Sequence, residues 1–128
     1  MKIIIAGTRT CENTKHLYHG LKASGINCDL ITEVISGKAK GADTLGETYA
    51  KMFGIRVKSF PADWNQHGKR AGFIRNQEMA NYCSTEDTLL ALWDGQSKGT
   101  LDMISKANKK GMNVYIWNYI ENKIVTVI

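Results

Sequence analysis

Three turns in this chain carry residues able to hold an anion. They are Gly7-Thr8-Arg9, Ser36-Gly37-Lys38-Ala39-Lys40-Gly41-Ala42-Asp43 and Asp94-Gly95-Gln96-Ser97-Lys98-Gly99-Thr100. Glycine lets a backbone approach a ligand with no Cβ in the way. Thr8 can donate its hydroxyl, and Arg9 offers a planar fork suited to phosphate. Gly37 and Gly41 stand four apart with a small residue between them, a spacing that suits a loop wrapped around a phosphate or ribose. Lys38 and Lys40 could add positive charge there. Asp43 either complements the dipole of the helix it opens or accepts hydrogen bonds from ribose hydroxyls.

A fourth stretch, Phe60 to Asn76, gathers Asp63, Trp64, His67, Arg70, Arg75 and Asn76 within one long segment. Trp64 could stack on a base while Arg75 reaches a phosphate. Their structural alternatives are a lid over the core and a clamp for the loop. Asp94 would stand at a strand end, where a carboxylate binds or catalyses more often than it merely caps. Thr100 is alternatively an N-cap. The catalytic candidates are therefore Asp43, Asp63 and Asp94. The binding candidates are Gly7, Thr8, Arg9, Ser36, Gly37, Gly41, Ala42, Asp43, Trp64, Arg75, Asn76, Asp94, Gly95, Ser97, Gly99 and Thr100. Neither a GxGxxG fingerprint nor a Gly-Lys-Ser/Thr phosphate loop is present, which excludes an ATPase of that type.

Composition narrows the class. With 128 residues, 43% of them hydrophobic and 23% charged, the chain has the size and balance of one globular domain. Met1-Lys2 leads straight into a strand pattern and no segment approaches membrane-spanning length, so we expect a cytoplasmic protein without a membrane partner. Cys11, Cys28 and Cys83 form no ligand spacing, so we expect reduced structural cysteines, with Cys11 the one place where a helix start could depress a thiol pKa. His16 and His19 lie three apart and lack a third ligand, so no metal is expected. A net charge of +5 suits an anionic partner, either a phosphorylated small molecule or nucleic acid. Lys106, Lys109 and Lys110 read as a solvated helix C-terminus.

The elements that must position these residues alternate. Strands are expected over Lys2–Ala6, Asp29–Ile35, Ile55–Phe60, Thr88–Trp93 and Asn113–Trp117, with a last edge strand, Ile124–Ile128, running antiparallel. Helices are expected over Glu12–Ser24, from Ala42 to Gly54, over Phe73–Tyr82 and over Thr100–Lys110. Leu17, Tyr18 and Leu21 share a face of the first helix. Leu45, Tyr49, Met52 and Phe53 recur at helical spacing in the second, and Leu101, Ile104 and Ala107 are expected to be buried in the last. Pro61 to Gly72 is the longest irregular segment, and such a loop is more often functional than idle. Alternation of this kind implies an α/β fold, a three-layer Rossmann-like domain with a mainly parallel sheet. In such a sheet the glycine turns share the carboxyl edge, and the helices after them present free N–H groups.

These motifs resemble the YspA-like (cpYpsA-related) branch of the SLOG superfamily. GTR, SGKAKGAD, FPADWNQHGKRAGFIRN and LWDGQSKGT occur in its order, and the likeness covers roughly Met1–Val114. The resemblance implies a Rossmann-like domain that binds nucleotides or nucleotide-derived ligands without a cofactor. Within the superfamily, the cytokinin-activating phosphoribohydrolases carry PGGxGTxxE with a catalytic Glu. Here Asp94 to Thr100 takes that place, and Met103 stands where the Glu would be. DNA-processing A proteins pair a GSR-type turn with SGxARGID, close to GTR and SGKAKGAD.

Our expectation is a nucleotide-binding sensor or sequestering domain. Its alternatives are an N-glycosidic hydrolase of nucleotides and, less favoured, a single-stranded-DNA binder. Homo-oligomerisation stays open.

Overall fold

Six strands pair into one sheet in the order β3-β2-β1-β4-β5-β6. They are β1 (Lys2–Gly7), β2 (Glu33–Ser36), β3 (Arg56–Ser59), β4 (Thr88–Trp93), β5 (Asn113–Asn118) and β6 (Lys123–Val125). All pairings are parallel except β5 with β6, which is antiparallel. The computed structural model describes residues 1–126, so the last two residues of the expected final strand lie outside it. The expected Rossmann-like architecture is present, with helices on both faces of a mostly parallel sheet.

The reason is legible in β1 and β4. Ile3 and Ile5 point to one face, where they meet Leu17, Leu21, Leu45 and Tyr49. Ile4 and Ala6 point to the other and meet Met79, Met103 and Ile104. A strand buried on both faces needs a continuous apolar run, which IIIA and LLAL supply. Each fully buried Ile or Leu contributes roughly 1.5–3 kcal/mol relative to exposure.

Two helices cover the first face, α1 (Thr14–Ser24) and α2 (Ala42–Met52). The second face carries α4 (Ala71–Tyr82) and α5 (Lys98–Lys110), which also pack on each other. A one-turn helix, α3 (Trp64–His67), precedes α4. The side chain of Asn13 accepts from the Lys15 N–H, so α1 begins at Thr14 rather than Glu12.

Local side-chain bonds also account for the other departures from expectation. Residues 28–30 form a 3₁₀ turn in place of the start of strand two, because the Asn27 side chain accepts from the Asp29 N–H at 3.1 Å. Asp63 likewise accepts from the Gln66 N–H at 3.0 Å, and this caps α3 inside the segment expected to be irregular. A 3₁₀ turn over Gly68–Arg70 then joins α3 to α4, which starts at Ala71. The cap of α5 is Ser97, so that helix starts two residues before Thr100.

Burial of three helix faces is narrower than their spacing implied. Leu101 is 47% exposed, because the buried row of α5 is Thr100, Met103, Ile104 and Ala107. Met52 and Phe53, 67% and 57% exposed, sit where α2 runs out beside edge strand β3, and Phe53 rests on Tyr49. Tyr18 is exposed too, edge-on to Tyr49. Lys106 does not belong to a solvated cap, since its Nζ donates to the Phe73 carbonyl at 2.9 Å and to Asp102 at 2.7 Å.

Two glycines of the turns that follow the strands should respond in opposite ways to a methyl group. Gly41 has φ +78°, and a Cβ there would fall 2.3 Å from the Arg9 carbonyl oxygen. Gly99 lies inside α5 with open space around it. Gly41→Ala should therefore cost more than about 1 kcal/mol of folding stability, whereas Gly99→Ala should be neutral or gain up to roughly 1 kcal/mol. Urea denaturation of both variants checks this. Equal losses would mean that the two loops are packed alike.

Candidate functional site

The sheet order reverses between β1 and β4, and a crevice opens there at the carboxyl ends of the strands. Thr8 organises it. Its N–H donates to the Leu92 carbonyl at 3.0 Å, and its own carbonyl accepts from Cys11 N–H at 3.1 Å and Ala42 N–H at 3.3 Å. Its hydroxyl accepts from the Asp94 N–H at 3.2 Å. One buried residue thus ties together the turns after β1, β2 and β4. The first N–H of α2 is consumed in this way and is not offered to a ligand. Gly7 is small because Leu92 crosses it, and a Cβ there would sit 2.1 Å from the Leu92 carbonyl oxygen.

A pocket of about 260 Å³ occupies the crevice. Its apolar lining comes from Ala6, Met79 and Met103, which are almost fully buried. Trp64 and Phe73, both largely exposed, add aromatic surface. Polar groups come from Arg9, Asp43, Arg75, Asn76, Ser97 and Thr100, together with Lys69. Gly7 and Gly99 also border this pocket. A second, more open hollow of about 470 Å³ adjoins it, lined by Gly37, Lys38, Lys40, Pro61 and Ala62. The two share Arg9, Ala39, Trp64 and Arg75.

Arg75 reaches from α4 across to the second turn. Its Nη1 donates to the Gly37 carbonyl, and its Nε donates to Asn76 Oδ1 at 3.0 Å. Asn76 is buried and passes the chain of bonds on, donating to the Gly99 carbonyl at 3.2 Å and to Asp102 Oδ2 at 3.0 Å. Burial lowers the Arg75 pKa, the Asp43 carboxylate opposes that, and nearby Arg9 lowers it further. A guanidinium stays charged through such a shift. Gly37 gives this arm its room, since a Cβ there would lie 2.7 Å from Nη1.

The three acidic candidates separate. Asp43 lines the pocket while only 4% exposed, and its Oδ2 accepts from the Ala39 N–H at 3.2 Å. Burial pushes its pKa up to about 6, against the pull of the Ala39 N–H and Arg75. Asp94 lies outside both hollows, with Oδ1 accepting from Gln96 and Ser97 N–H groups at 2.8 Å each. Partial burial raises its pKa, and these backbone bonds outweigh that, so it lies below the ordinary carboxylate value. Asp63 caps α3 outside both hollows. Asp43 is the carboxylate on the pocket wall.

Other expected residues have structural duties. Ser36 donates to Glu47 Oε2 at 2.5 Å and accepts from the Lys38 N–H, so its hydroxyl is committed. Lys38 is bonded to Glu47 at 2.8 Å. Gly41 and Ala42 pack behind the pocket, and Gly95 is exposed beside Asn118. Thr100 does not cap, since Ser97 does, and its hydroxyl donates to Ser97 Oγ at 3.1 Å. Burial raises the Cys11 thiol to about 12, the reverse of activation by a helix start, and all three cysteines are free. His16 stacks on Tyr119, and among the described residues no group of three or more His, Cys, Asp or Glu could hold a metal.

Six lining residues were not singled out from sequence: Ala6, Ala39, Lys69, Gly72, Phe73 and Met79. Ala39, Lys69, Gly72 and Phe73 fall inside motifs already dense in candidates. Met79 carries no polar or turn signal in the sequence, whereas Met103, at the position of the phosphoribohydrolase glutamate, does line the pocket.

The sequence model of the YspA, cpYpsA-related SLOG family (YAcAr) matches residues 1–67 of this chain. The Gene 61 protein of Mycobacterium phage D29 is 31% identical over 120 residues, a match spanning 88% of this chain and 93% of that protein. Among the described residues, no helix is long and apolar enough to cross a membrane.

Because Asp43 is held at about 6 when folded, against an ordinary value of 3.8, its charged form opposes folding. Its stabilising contribution is present below the unfolded value and is lost as pH rises through about 6. Asp43→Asn removes this penalty. The variant should exceed the wild type by on the order of 2–3 kcal/mol at pH 7.5, with the advantage fading towards pH 4. Denaturant melts at both pH values check this, and an advantage independent of pH would assign it another cause.

Proposed function

The chain belongs to the YspA, cpYpsA-related SLOG family, and from that premise we propose that it binds a nucleotide or a nucleotide-derived small molecule at the carboxyl edge of the sheet, as a sensor or sequestering domain. One observation carries this most: Arg9 and Arg75 border a pocket that also presents the aromatic rings of Trp64 and Phe73, the apolar side chains of Met79 and Met103 and the carboxylate of Asp43. That combination suits a ligand with one planar face and one anionic group. Trp64 and Phe73 would stack on the base. Arg9 and the unused donors of Arg75 would hold phosphate, and Asp43 would accept from a ribose hydroxyl.

Binding without turnover is favoured by the acidic groups. Glycosidic hydrolysis ordinarily uses two carboxyl groups in separate roles. The pocket wall carries Asp43 alone, while Asp94 and Asp63 are engaged with backbone N–H groups elsewhere. Met103 stands where the phosphoribohydrolases have their glutamate.

Calorimetric titration with the four common nucleoside monophosphates and their diphosphates tests the proposal. Arg9→Ala and Arg75→Ala should each lose roughly 1.5–3 kcal/mol, about ten- to a hundredfold in affinity. Unchanged affinity in both variants would move the anion site elsewhere. Tight, salt-sensitive binding of single-stranded DNA with no mononucleotide binding would favour the DNA alternative.

Incubation with the same nucleotides should release no free base on chromatography. Fast release that is abolished in Asp43→Asn would replace the binder with a hydrolase.

A further inference from the structure

The pocket that would hold a nucleoside is one of two joined hollows, and their linings differ in chemistry. The first has Trp64 and Phe73 and the deep apolar surface of Met79 and Met103. The second has backbone at Gly37, the small residues Pro61 and Ala62, and three cations, Arg9, Lys38 and Lys40, besides Arg75. No carboxylate among the described residues lines it. Apart from Trp64 it offers no surface on which a base could stack.

Charge is unevenly neutralised around this junction. Lys38 is already paired with Glu47. Arg9 and Lys40 are exposed, and neither has an ion-pair partner among the described residues. Arg9 stands close enough to Arg75 to lower its pKa, so two guanidinium groups repel one another where the hollows meet. The carboxylate beside them, Asp43, is buried and supplies one negative charge against two guanidinium groups. An anion between Arg9 and Arg75 would relieve that repulsion, and a second anionic group continuing towards Lys40 would meet the remaining unpaired cation.

We infer that the natural ligand is a nucleoside with at least two linked phosphates, its base and ribose in the first hollow and its distal phosphate in the second, held by Lys40. This inference rests on the proposed nucleotide site and extends it outward. Arg9 and Arg75, which border both hollows, serve the proximal phosphate. Lys40 borders the second hollow only, so it serves the distal one. The second hollow, at about 470 Å³, has room for a hydrophilic substituent carried on that phosphate. The Lys40 side chain is exposed and forms no hydrogen bond within the protein among those described, so its replacement should leave the fold intact.

The experiment is a set of matched titrations. AMP, GMP, CMP and UMP are each compared with their diphosphates on the wild type, Lys40→Ala and Lys40→Glu. Inorganic pyrophosphate alone serves as control, and thermal melts of each variant check the fold. For the preferred base, the diphosphate should bind at least tenfold more tightly than the monophosphate. Lys40→Ala should remove most of that gain and Lys40→Glu all of it, with monophosphate affinity changed less than twofold.

Equal affinities for mono- and diphosphate would overturn the inference while leaving the nucleotide site standing. So would a gain that survives in both Lys40 variants. Pyrophosphate binding as tightly as the best diphosphate would also overturn it, because the nucleoside end would then contribute nothing. If no monophosphate and no diphosphate binds, the nucleotide proposal itself falls and takes this inference with it.

Discussion

Thr8 is the residue on which the arrangement of this protein's upper edge depends. Its backbone and hydroxyl make four hydrogen bonds, one to β4 itself and three to the segments that follow β1, β2 and β4. Each bond is worth only about 0.5–1.5 kcal/mol net. Their joint effect is geometric, because the segment after β1 cannot shift without moving the start of α2 and the loop that follows β4. Gly7 and Gly41 make the same demand sterically. Both lie where backbone passes within a distance that no Cβ could share. The crevice is therefore a fixed cleft on its strand side.

Its other side is built differently. Trp64, Lys69, Gly72 and Phe73 come from α3, the 3₁₀ turn after it and the start of α4, a stretch with little buried apolar surface of its own. What fastens this wall to the strand side is the Arg75 arm, with Asn76 extending it to α5. The same guanidinium that suits an anion thus also bridges the two sides. Asp43 sits against it as a single carboxylate facing two guanidinium groups, which leaves the positive charge of Arg9 and Arg75 only partly offset. Electrostatics and architecture meet at one side chain.

Much of this was legible in the sequence, and the exceptions share a cause. Continuous apolar runs such as IIIA and LLAL announced doubly buried strands, and glycine-bearing turns after them located the edge at which the pocket opens. Arg9, Asp43, Trp64, Arg75 and Asn76 were recognisable because polar or aromatic residues in turns and loops have few structural reasons to cluster. What could not be read were choices made by single side-chain bonds. Asn27 captures the Asp29 N–H and shortens a strand, Asp63 captures Gln66 and makes a helix in a loop, and Ser97 rather than Thr100 caps α5. Ser36 looked like a ligand contact because nothing in its neighbourhood names Glu47, eleven residues on, as its partner. Met79 was hidden for the opposite reason. A pocket lined by core residues looks like core until the helices are placed.

The pairing of β1 with β4 has a consequence for how the protein comes into being. Gly7, Arg9 and Asp43 are all made early in synthesis, yet β1 meets its central neighbour only when residues 88–93 arrive. Until then the emerging chain can form β1, β2 and β3 with one flank of β1 open, an unpaired edge prone to wrong partners. The final wall, from Arg75 to Thr100, closes over the cleft in the same late step. Any ligand of this cleft could be held only by chains that have completed that long-range pairing. The small molecule would then act as a selective stabiliser of finished copies, drawing late intermediates forward by mass action.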